Sequence, residues 1–385
     1  MGKLRFLCLF LTIAILVGIF TLSCSTSGQQ STEPATSTQP AGKVYELTIS
    51  TTGPLTDEYN QVTAAWGKWL YKESKGKIKL TIIPNNQSSK VTDHYEATVS
   101  GIVDMGFQMI GFSPGRFPLS EVGGISGVFD SWATRRGSLA GMALYEKYPE
   151  FQAEFPDAKF IFYTHNVSYH YFTTKKPLKG PQDLKGLMQI EIGPANSAML
   201  KYFGGSPQNV AMEDSYDAMA KGVVDGHTVG YSAVEQFYPD LLNYGMEVGL
   251  QDTPWLVAMN LKTWNSLPAD LQKLFQGENA KRLASVMGSV WDENAQQYKK
   301  NVIARWKSKG LPEPVVLSDA VKAQWVEAAK PIQEDWVKSV APKVGEAKAR
   351  AILADWFALG KQYAYTGVSQ EDQKTYNEWK SLPAY

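Results

Sequence analysis

The pattern of apolar and polar positions predicts alternating strands and helices from about residue 44 onward. Val44–Thr51 alternates like a strand, and apolar side chains then recur at helical spacing over Tyr59–Lys72. A strand over Lys75–Pro84, a helix over Thr92–Ser100 and a strand over Gly101–Ile110 continue the series. This β-α-β-α-β order predicts a parallel, doubly wound sheet.

A second α/β series begins at residue 158. Strands are predicted over Ala158–His165 and His170–Lys176, and helices over Ala195–Gly204 and Met212–Gly222. Strand, turn and helix entry follow over Thr253–Pro268, and the chain is then helical to about residue 304 and again from residue 318. Two α/β lobes are therefore expected, with residues 169–251 inserted as lobe II into a lobe I made of 44–168 and 252–385. A cleft between two such lobes is a favoured ligand site.

The first 23 residues predict a signal peptide. Lys3 and Arg5 precede an apolar run over Phe6–Phe20, and Cys24 follows shortly afterwards. Cleavage before Cys24 leaves a single cysteine in the mature chain, which excludes a disulfide framework. Cys24 resembles the lipidated cysteine of a bacterial lipoprotein signal, although Thr21 stands where that pattern usually has Leu. An uncleaved membrane anchor is the alternative.

Residues 25–43 contain no large apolar side chain. Such a segment buries too little surface to offset its ordering entropy, so residues 24–43 are predicted to form a flexible tether behind the lipid anchor. An anchor, a tether and a folded body together predict an exported protein, located at the outer face of the cytoplasmic membrane or in the periplasm.

Composition and motifs favour a binding protein over an enzyme. Lys and Arg together number 38, as do Asp and Glu, so the chain lacks the basic footprint of a nucleic-acid binder. The sequence contains no P-loop, dinucleotide fingerprint or nucleophile elbow. His165 and His170 are five residues apart, which is not a metal-ligand spacing. No catalytic residue, metal or cofactor is predicted.

Three segments carry a resemblance to a known family. They are "PLKGPQDLKGL" (Pro177–Leu187), "YFGGSPQNVAMEDSYDAMAKGVVDG" (Tyr202–Gly226) and "MNLKTWNSLPADLQ" (Met259–Gln272). The chain resembles the dicarboxylate-binding (DctP-like) solute-binding proteins of TRAP (tripartite ATP-independent periplasmic) transporters over about Tyr45–Phe275. The resemblance implies a two-lobed, periplasmic-binding-protein-like α/β fold with a long hinge-spanning helix and a helical C-terminal region. It also implies capture of a small solute, usually an organic acid, and delivery to an ion-gradient-driven permease.

The chain departs from the family at the ligand clamp. The family usually carries an Arg after "DLKGL" that holds the ligand carboxylate by a bidentate fork. Depending on how the segment is counted, that position falls on Gln189, Ile190 or Glu191, and none of them is Arg. His170 stands where a second cleft Arg often occurs. Polar or aromatic residues of the family pocket are replaced by Met109, Met212 and Val229.

These replacements predict a solute that is less charged than a dianion and has an apolar or aromatic body, because buried polar ligand groups need partners. Tyr169, Tyr231 and Trp255 are candidate aromatic walls. His170, His227 and Arg116 are candidates for the missing positive charge. If Glu191 faces the cleft, a cationic or hydroxyl-rich ligand is favoured; if it faces solvent, only the missing Arg matters. The predicted ligand contacts are Thr51, Thr52, Gln108, Met109, Tyr169, His170, Gln189, Glu191, Met212, Val229, Tyr231 and Trp255.

The expected function is that of an extracytoplasmic solute receptor that captures a small organic solute, expected to be an organic acid with an apolar or aromatic body, in the cleft between its lobes. It delivers this solute to TRAP permease subunits. One alternative is a solute-binding protein of an ABC importer or a sensor system, because the fold logic is shared. A cell-surface enzyme on a similar scaffold is the other alternative.

Overall fold

The computed structural model describes residues 43–127, 134–250, 254–364 and 369–385, and of residue 213 only the backbone. The predicted signal peptide, Cys24 and the tether up to residue 42 lie outside the described residues. Along the described ranges, no helix combines the length and the apolar character needed to cross a bilayer.

Strands and helices alternate through most of the body. The strands are β1 Tyr45–Ser50, β2 Ile78–Ile83, β3 Met105–Met109, β4 Ala158–Thr164, β5 Tyr169–Thr173, β6 Met188–Ile190, β7 Ser206–Gln208, β8 Gly226–Val229, β9 Tyr244–Leu250, β10 Trp255–Asn260 and β11 Val315–Val316. The helices are α1 Glu58–Glu73, α2 His94–Ser100, α3 Thr134–Lys147, α4 Pro149–Gln152, α5 Pro194–Tyr202, α6 Met212–Ala220, α7 Tyr231–Gln236, α8 Leu261–Ser266, α9 Ala269–Gln272, α10 Gly277–Ser308, α11 Asp319–Val344, α12 Glu346–Gln362 and α13 Gln370–Ser381.

Lobe I contains a five-stranded sheet in the order β2-β1-β3-β10-β4. β1 pairs in parallel with β2 and β3, as the sequence pattern predicts. The sheet as a whole is mixed, because β10, which follows lobe II in the sequence, is antiparallel to both β3 and β4. Thr164 at the end of β4 pairs with Trp255 at the start of β10. The chain therefore leaves lobe I at the end of β4 and re-enters it at the same end of the sheet. As a result, β10 runs antiparallel to β4.

Lobe II contains a six-stranded mixed sheet in the order β11-β9-β5-β8-β6-β7. Its last strand, β11, pairs in parallel with β9 and comes from sequence that follows α10, beyond residues 169–251. At Gly226 in β8, a Cβ atom would lie 2.0 Å from the carbonyl oxygen of Phe172 in β5. A glycine is required there because the two backbones approach so closely.

Helices cover both faces of the lobe II sheet. On one face, Tyr171 packs in a cluster with Leu200 of α5 and Trp325 of α11. On the other face, Phe172 packs with Val234 of α7 and Trp306 of α10. Consecutive residues of β5 therefore enter different hydrophobic clusters, and no face of this sheet is left to solvent along its centre.

The long helix α10 joins the two lobes. It has 32 residues and is therefore about 48 Å long. Leu283 and Trp291 are buried in the core of lobe I, whereas Val302 and Trp306 are buried in lobe II. The predicted hinge-spanning helix is confirmed.

A second helix, α11, crosses between the lobes in the opposite direction. Trp325 and Ala328 pack in lobe II, and Trp336 and Val340 pack in the core of lobe I. Pro331 lies inside the helix between these two sets. Proline has no amide hydrogen, so the helix lacks one backbone hydrogen bond at this position. The sequence pattern predicts the helical character of this region but not its passage between the lobes.

We expect Trp306→Ala to lower the free energy of unfolding by about 3–5 kcal/mol, because a large side chain is lost from a closed core. Trp306 is fully buried, and its indole N–H donates to the Leu242 carbonyl oxygen at 3.0 Å. Urea unfolding measures the change. Val316→Ala, at an exposed position, is the control and should change the free energy by less than about 0.5 kcal/mol. A loss below about 1 kcal/mol for Trp306→Ala would contradict its role in lobe II.

Candidate functional site

A cavity of about 210 Å³ lies where strand ends of the two lobes meet. Lobe I contributes Gly53 after β1, Asn85 after β2 and Met109 at the end of β3. Lobe II contributes Ile192 after β6 and Gly230 after β8. All five positions are at the carboxyl ends of strands, which is where open α/β sheets usually bind their ligands.

Six of the twelve predicted ligand contacts line this cavity. They are Thr52, Met109, Tyr169, Met212, Val229 and Trp255. His227, a candidate for the missing charge, lines it as well. Four of these seven residues are the first or last residue of a strand, and these strands come from both sheets. The cavity therefore gathers residues that are up to about two hundred positions apart in the sequence.

The other predicted contacts lie off the lining, and each of them makes at least one hydrogen bond within its own lobe. The Gln108 side chain accepts from the Tyr95 amide at 3.0 Å. In lobe II, His170 Nδ1 accepts from the Gly249 amide at 3.1 Å, and burial lowers the pKa of His170 to about 4. The Tyr231 hydroxyl donates to Glu247 at 2.6 Å.

Thr51 and Gln189 also belong to the interior of their lobes. The Thr51 amide donates to the Ile83 carbonyl oxygen at 3.0 Å, which extends the pairing of β1 with β2. The Gln189 side-chain amide donates to the Phe172 carbonyl oxygen at 2.9 Å, beside the close approach at Gly226. The Gln189 side chain thus bonds to the backbone of β5 beside Gly226. Gln189 is one of the three positions that can correspond to the family's Arg.

Glu191 faces neither the cleft nor solvent. It is buried in lobe II on the same face of the sheet as Tyr171, and Thr228 Oγ1 donates to its carboxyl group at 2.7 Å. Burial raises the pKa of Glu191 well above its ordinary value of 4.5, because the charged form is poorly solvated there. The sequence analysis expected Glu191 to face either the cleft or solvent. Neither is the case, because helices α5 and α11 cover this face of the sheet.

Aromatic side chains form much of the cavity wall. Tyr59 of α1 lies 5.5 Å from Trp255 of β10 and 5.7 Å from Trp291 of α10, measured between ring centres. The Trp255 and Trp291 rings are 5.6 Å apart. Three further aromatic residues on the lining are Phe112, Tyr169 and Phe237. The sequence pattern assigns Tyr59 and Trp291 to helical core stripes, and they serve both the core and the cavity.

Two buried carboxyl groups, Asp57 and Glu58, line the cavity at the start of α1. Burial, together with the neighbouring charge of Glu58, raises the pKa of Asp57 to about 7. Burial also raises the pKa of Glu58. Asp57 occupies the N-cap position of α1 but makes no side-chain capping bond. Its place in the loop that joins the carboxyl end of β1 to α1 is the signal that could have identified it as a site residue.

The part of the cavity lining that the structure describes contains no Lys or Arg. Arg116 lies elsewhere, with its guanidinium group 4.5 Å from the ring centre of Tyr95 and 3.0 Å from the carboxylate of Glu96. His227 is on the lining, but burial lowers its pKa to about 3, so the ring is neutral at pH 7. The family Arg therefore has no cationic substitute among the described lining residues.

A two-lobed α/β body with an aromatic-walled cavity at the strand ends is the architecture of a solute-binding protein. Residues 49–339 match the family described as bacterial extracellular solute-binding protein, family 7 (DctP). The chain belongs to this family, and the predicted resemblance is confirmed.

Relatives and solved structures agree with this assignment. A solute-binding protein of Verminephrobacter eiseniae is 25% identical over 275 residues, which is 71% of this chain and 79% of that protein. The C4-dicarboxylate-binding periplasmic protein of Rhodobacter capsulatus is 23% identical over 297 residues, 74% of this chain and 82% of that protein. A marine metagenome TRAP solute-binding protein specific for aromatic acid ligands, crystallised with 3-hydroxybenzoate, has a TM-score of 0.76 at 22% identity, covering 84% of this chain and 100% of that one. The predicted two-lobed fold is thereby confirmed.

We expect Glu191→Gln to remove a pH dependence from the stability of the protein. The unfolded chain releases the Glu191 proton near the ordinary pKa of 4.5, whereas the folded chain keeps it. Above pH 4.5 the wild-type free energy of unfolding therefore falls by about 1.4 kcal/mol per pH unit, until the folded pKa is reached, relative to the variant. Urea unfolding between pH 4 and pH 8 measures this difference.

The exposed carboxylate Glu96 provides the matched control, and Glu96→Gln should leave the pH profile nearly unchanged. Parallel profiles for wild type and Glu191→Gln would show that Glu191 is ionised in the folded protein.

Proposed function

We propose that the protein is the extracytoplasmic receptor of a TRAP transporter and captures a small organic solute with an aromatic or apolar body in the cavity between its lobes. The solute is then delivered, chemically unaltered, to permease subunits driven by an ion gradient. Family membership supports the permease as partner and favours this function over an ABC importer, a sensor system or a cell-surface enzyme.

The observation that carries the proposal is the aromatic wall of the cavity. Six aromatic side chains from both lobes and from α10 surround a volume suited to one small ring or chain. Rings supply large apolar contact area at low entropic cost. The marine metagenome protein, which shares the fold, is specific for aromatic acid ligands, and this supports an aromatic body for the solute here.

Thermal-shift measurements on the purified full-length protein test the proposal. Benzyl alcohol, benzylammonium and benzoate share one ring and differ in their polar group, and succinate is the compact dianion for comparison. We expect at least one ring-bearing solute to raise the melting temperature more than succinate does, because only the ring fits the apolar wall. Stabilisation by succinate alone would contradict the proposed ligand class.

Phe237→Ala should weaken binding of the best ring-bearing solute by about tenfold, because one face of its apolar contact is lost. Phe237 lines the cavity and is partly exposed, so its removal leaves the cores intact. Calorimetric titration measures the affinity. Tyr202→Ala, which removes an exposed ring outside the lining, is the control and should bind like wild type. Equal affinities for all three proteins would place the solute away from this wall.

We also propose that Cys24 carries a lipid and that residues 24–43 tether the body to the membrane. Cys24→Ala should move the protein from the membrane pellet to the soluble fraction and abolish labelling with a fatty acid. Cys8→Ala, within the predicted signal peptide, is the control and should keep both properties. Retention of Cys24→Ala in the pellet would favour the uncleaved anchor.

A further inference from the structure

The polar groups on the cavity lining include two carboxyl groups, besides side chains such as Thr52 and Ser232 that can both donate and accept hydrogen bonds. Asp57 and Glu58 present two buried carboxyl groups, and no Lys or Arg lies on the described lining. The side-chain oxygen of Asn86, also on the lining, accepts no hydrogen bond within the described residues. Buried acceptors and buried negative charge need donors or a positive partner. The described lining thus offers no Lys or Arg to a carboxylate solute, whereas it holds carboxyl groups that can pair with a cationic one.

The segments that carry these acceptors are tied to one another. The Asn86 amide donates to the Thr51 carbonyl oxygen at 3.0 Å, and the Asn85 amide donates to the Gly53 carbonyl oxygen at 3.1 Å. Gly53 in turn packs against Asp57, because a Cβ at position 53 would lie 1.7 Å from Asp57 Oδ2. The acceptors are therefore held in place before a solute arrives, which lowers the cost of binding.

Glu58 is connected to the other lobe. Tyr298 of α10 donates to Glu58 at 3.3 Å, and the Gln236 side chain of lobe II donates to the Tyr298 hydroxyl at 2.8 Å. This chain fixes the carboxyl group of Glu58 at the boundary between the lobes.

Two deeply buried polar side chains on the lining provide an independent indication of a polar solute. Trp255 is 4% exposed and His227 is 1% exposed, yet the indole N–H and both imidazole nitrogens have no hydrogen-bond partner among the described residues. Buried groups of this kind are normally paired. They can meet a second polar group at another part of the solute.

We propose that the solute carries a protonated amine, which is received by Asp57 and Glu58 within the aromatic wall. The inference rests on the proposed function and adds the charge of the solute to it. Aromatic rings attract cations through their negative faces, and carboxylates add direct ion pairs. In their ionised form the same carboxyl groups repel carboxylate solutes, so the site then selects by exclusion as well as by attraction.

Calorimetric titration of the purified full-length protein with benzylammonium, benzyl alcohol and benzoate tests the inference, because these probes share the ring and differ in charge. At pH 8 the affinity for benzylammonium should exceed the affinity for benzoate by at least about tenfold. Asp57→Asn and Glu58→Gln, which keep the side-chain shapes, should each cost about tenfold or more in benzylammonium affinity and little in benzyl alcohol affinity. Glu96→Gln, outside the lining, should bind like wild type.

The pH dependence gives a second readout that needs no variant. Asp57 has a pKa of about 7 and lies beside the acidic Glu58 and Tyr59 of α1, with Tyr298 of α10 also close enough to interact with it electrostatically. Its ionisation between pH 6 and pH 8 should strengthen benzylammonium binding and weaken benzoate binding.

The outcomes separate the inference from the proposed function. Tighter binding of benzoate than of benzylammonium, or an affinity for benzylammonium that falls as pH rises, overturns the inference and leaves the receptor function standing. Failure of all three ring-bearing probes to bind overturns both.

Discussion

Burial of the two ends of α10 in different hydrophobic cores is the interaction on which the rest of the structure depends. Trp291 belongs to the core of lobe I and Trp306 to that of lobe II, and their separation of 15 positions spans about 22 Å of helix. The helix cannot shorten without losing backbone hydrogen bonds. It therefore sets the spacing of the two sheets, and the cavity is the space left between their strand ends. Trp291 also lines that space, so the structural contact and the binding surface share a residue.

Burial controls the electrostatics of the cavity. The same removal from water raises the pKa values of Asp57 and Glu58 and lowers that of His227, so it favours the neutral form of each. A free cavity at neutral pH is thus less charged than its residues suggest. A bound solute of either sign shifts these protonation states, which makes proton exchange part of binding.

Much of the fold could be predicted from the sequence, because helical stripes and strand alternation in lobe I report burial directly. Lobe II was harder. Helices cover both faces of its sheet, so the alternation of Gln189, Ile190 and Glu191 could not show which face adjoins the cavity. β11 is only two residues long, too short for any periodicity.

The site residues likewise divide into those that the sequence could identify and those that it could not. Met109 and Val229 were predicted through the family resemblance, and both end strands, as cavity residues in α/β proteins commonly do. Tyr59 and Trp291 were missed because helical spacing is the same for core and for cavity wall. The family resemblance drew attention to the segment after β6, whereas the charged groups of the cavity follow β1. Which residues of one lobe face those of the other depends on packing, and a single sequence does not contain that information.

The two helices that connect the lobes differ mechanically. Between Trp291 and Trp306, α10 contains no proline, and its hydrogen-bond ladder resists bending. α11 crosses the same gap with Pro331 placed between its two buried ends, so bending there breaks fewer hydrogen bonds than elsewhere along the helix. α10 is therefore a rigid connection, whereas α11 can bend at Pro331. Rotation of lobe II relative to lobe I can concentrate at this bend, while α10 keeps the distance between the lobes constant.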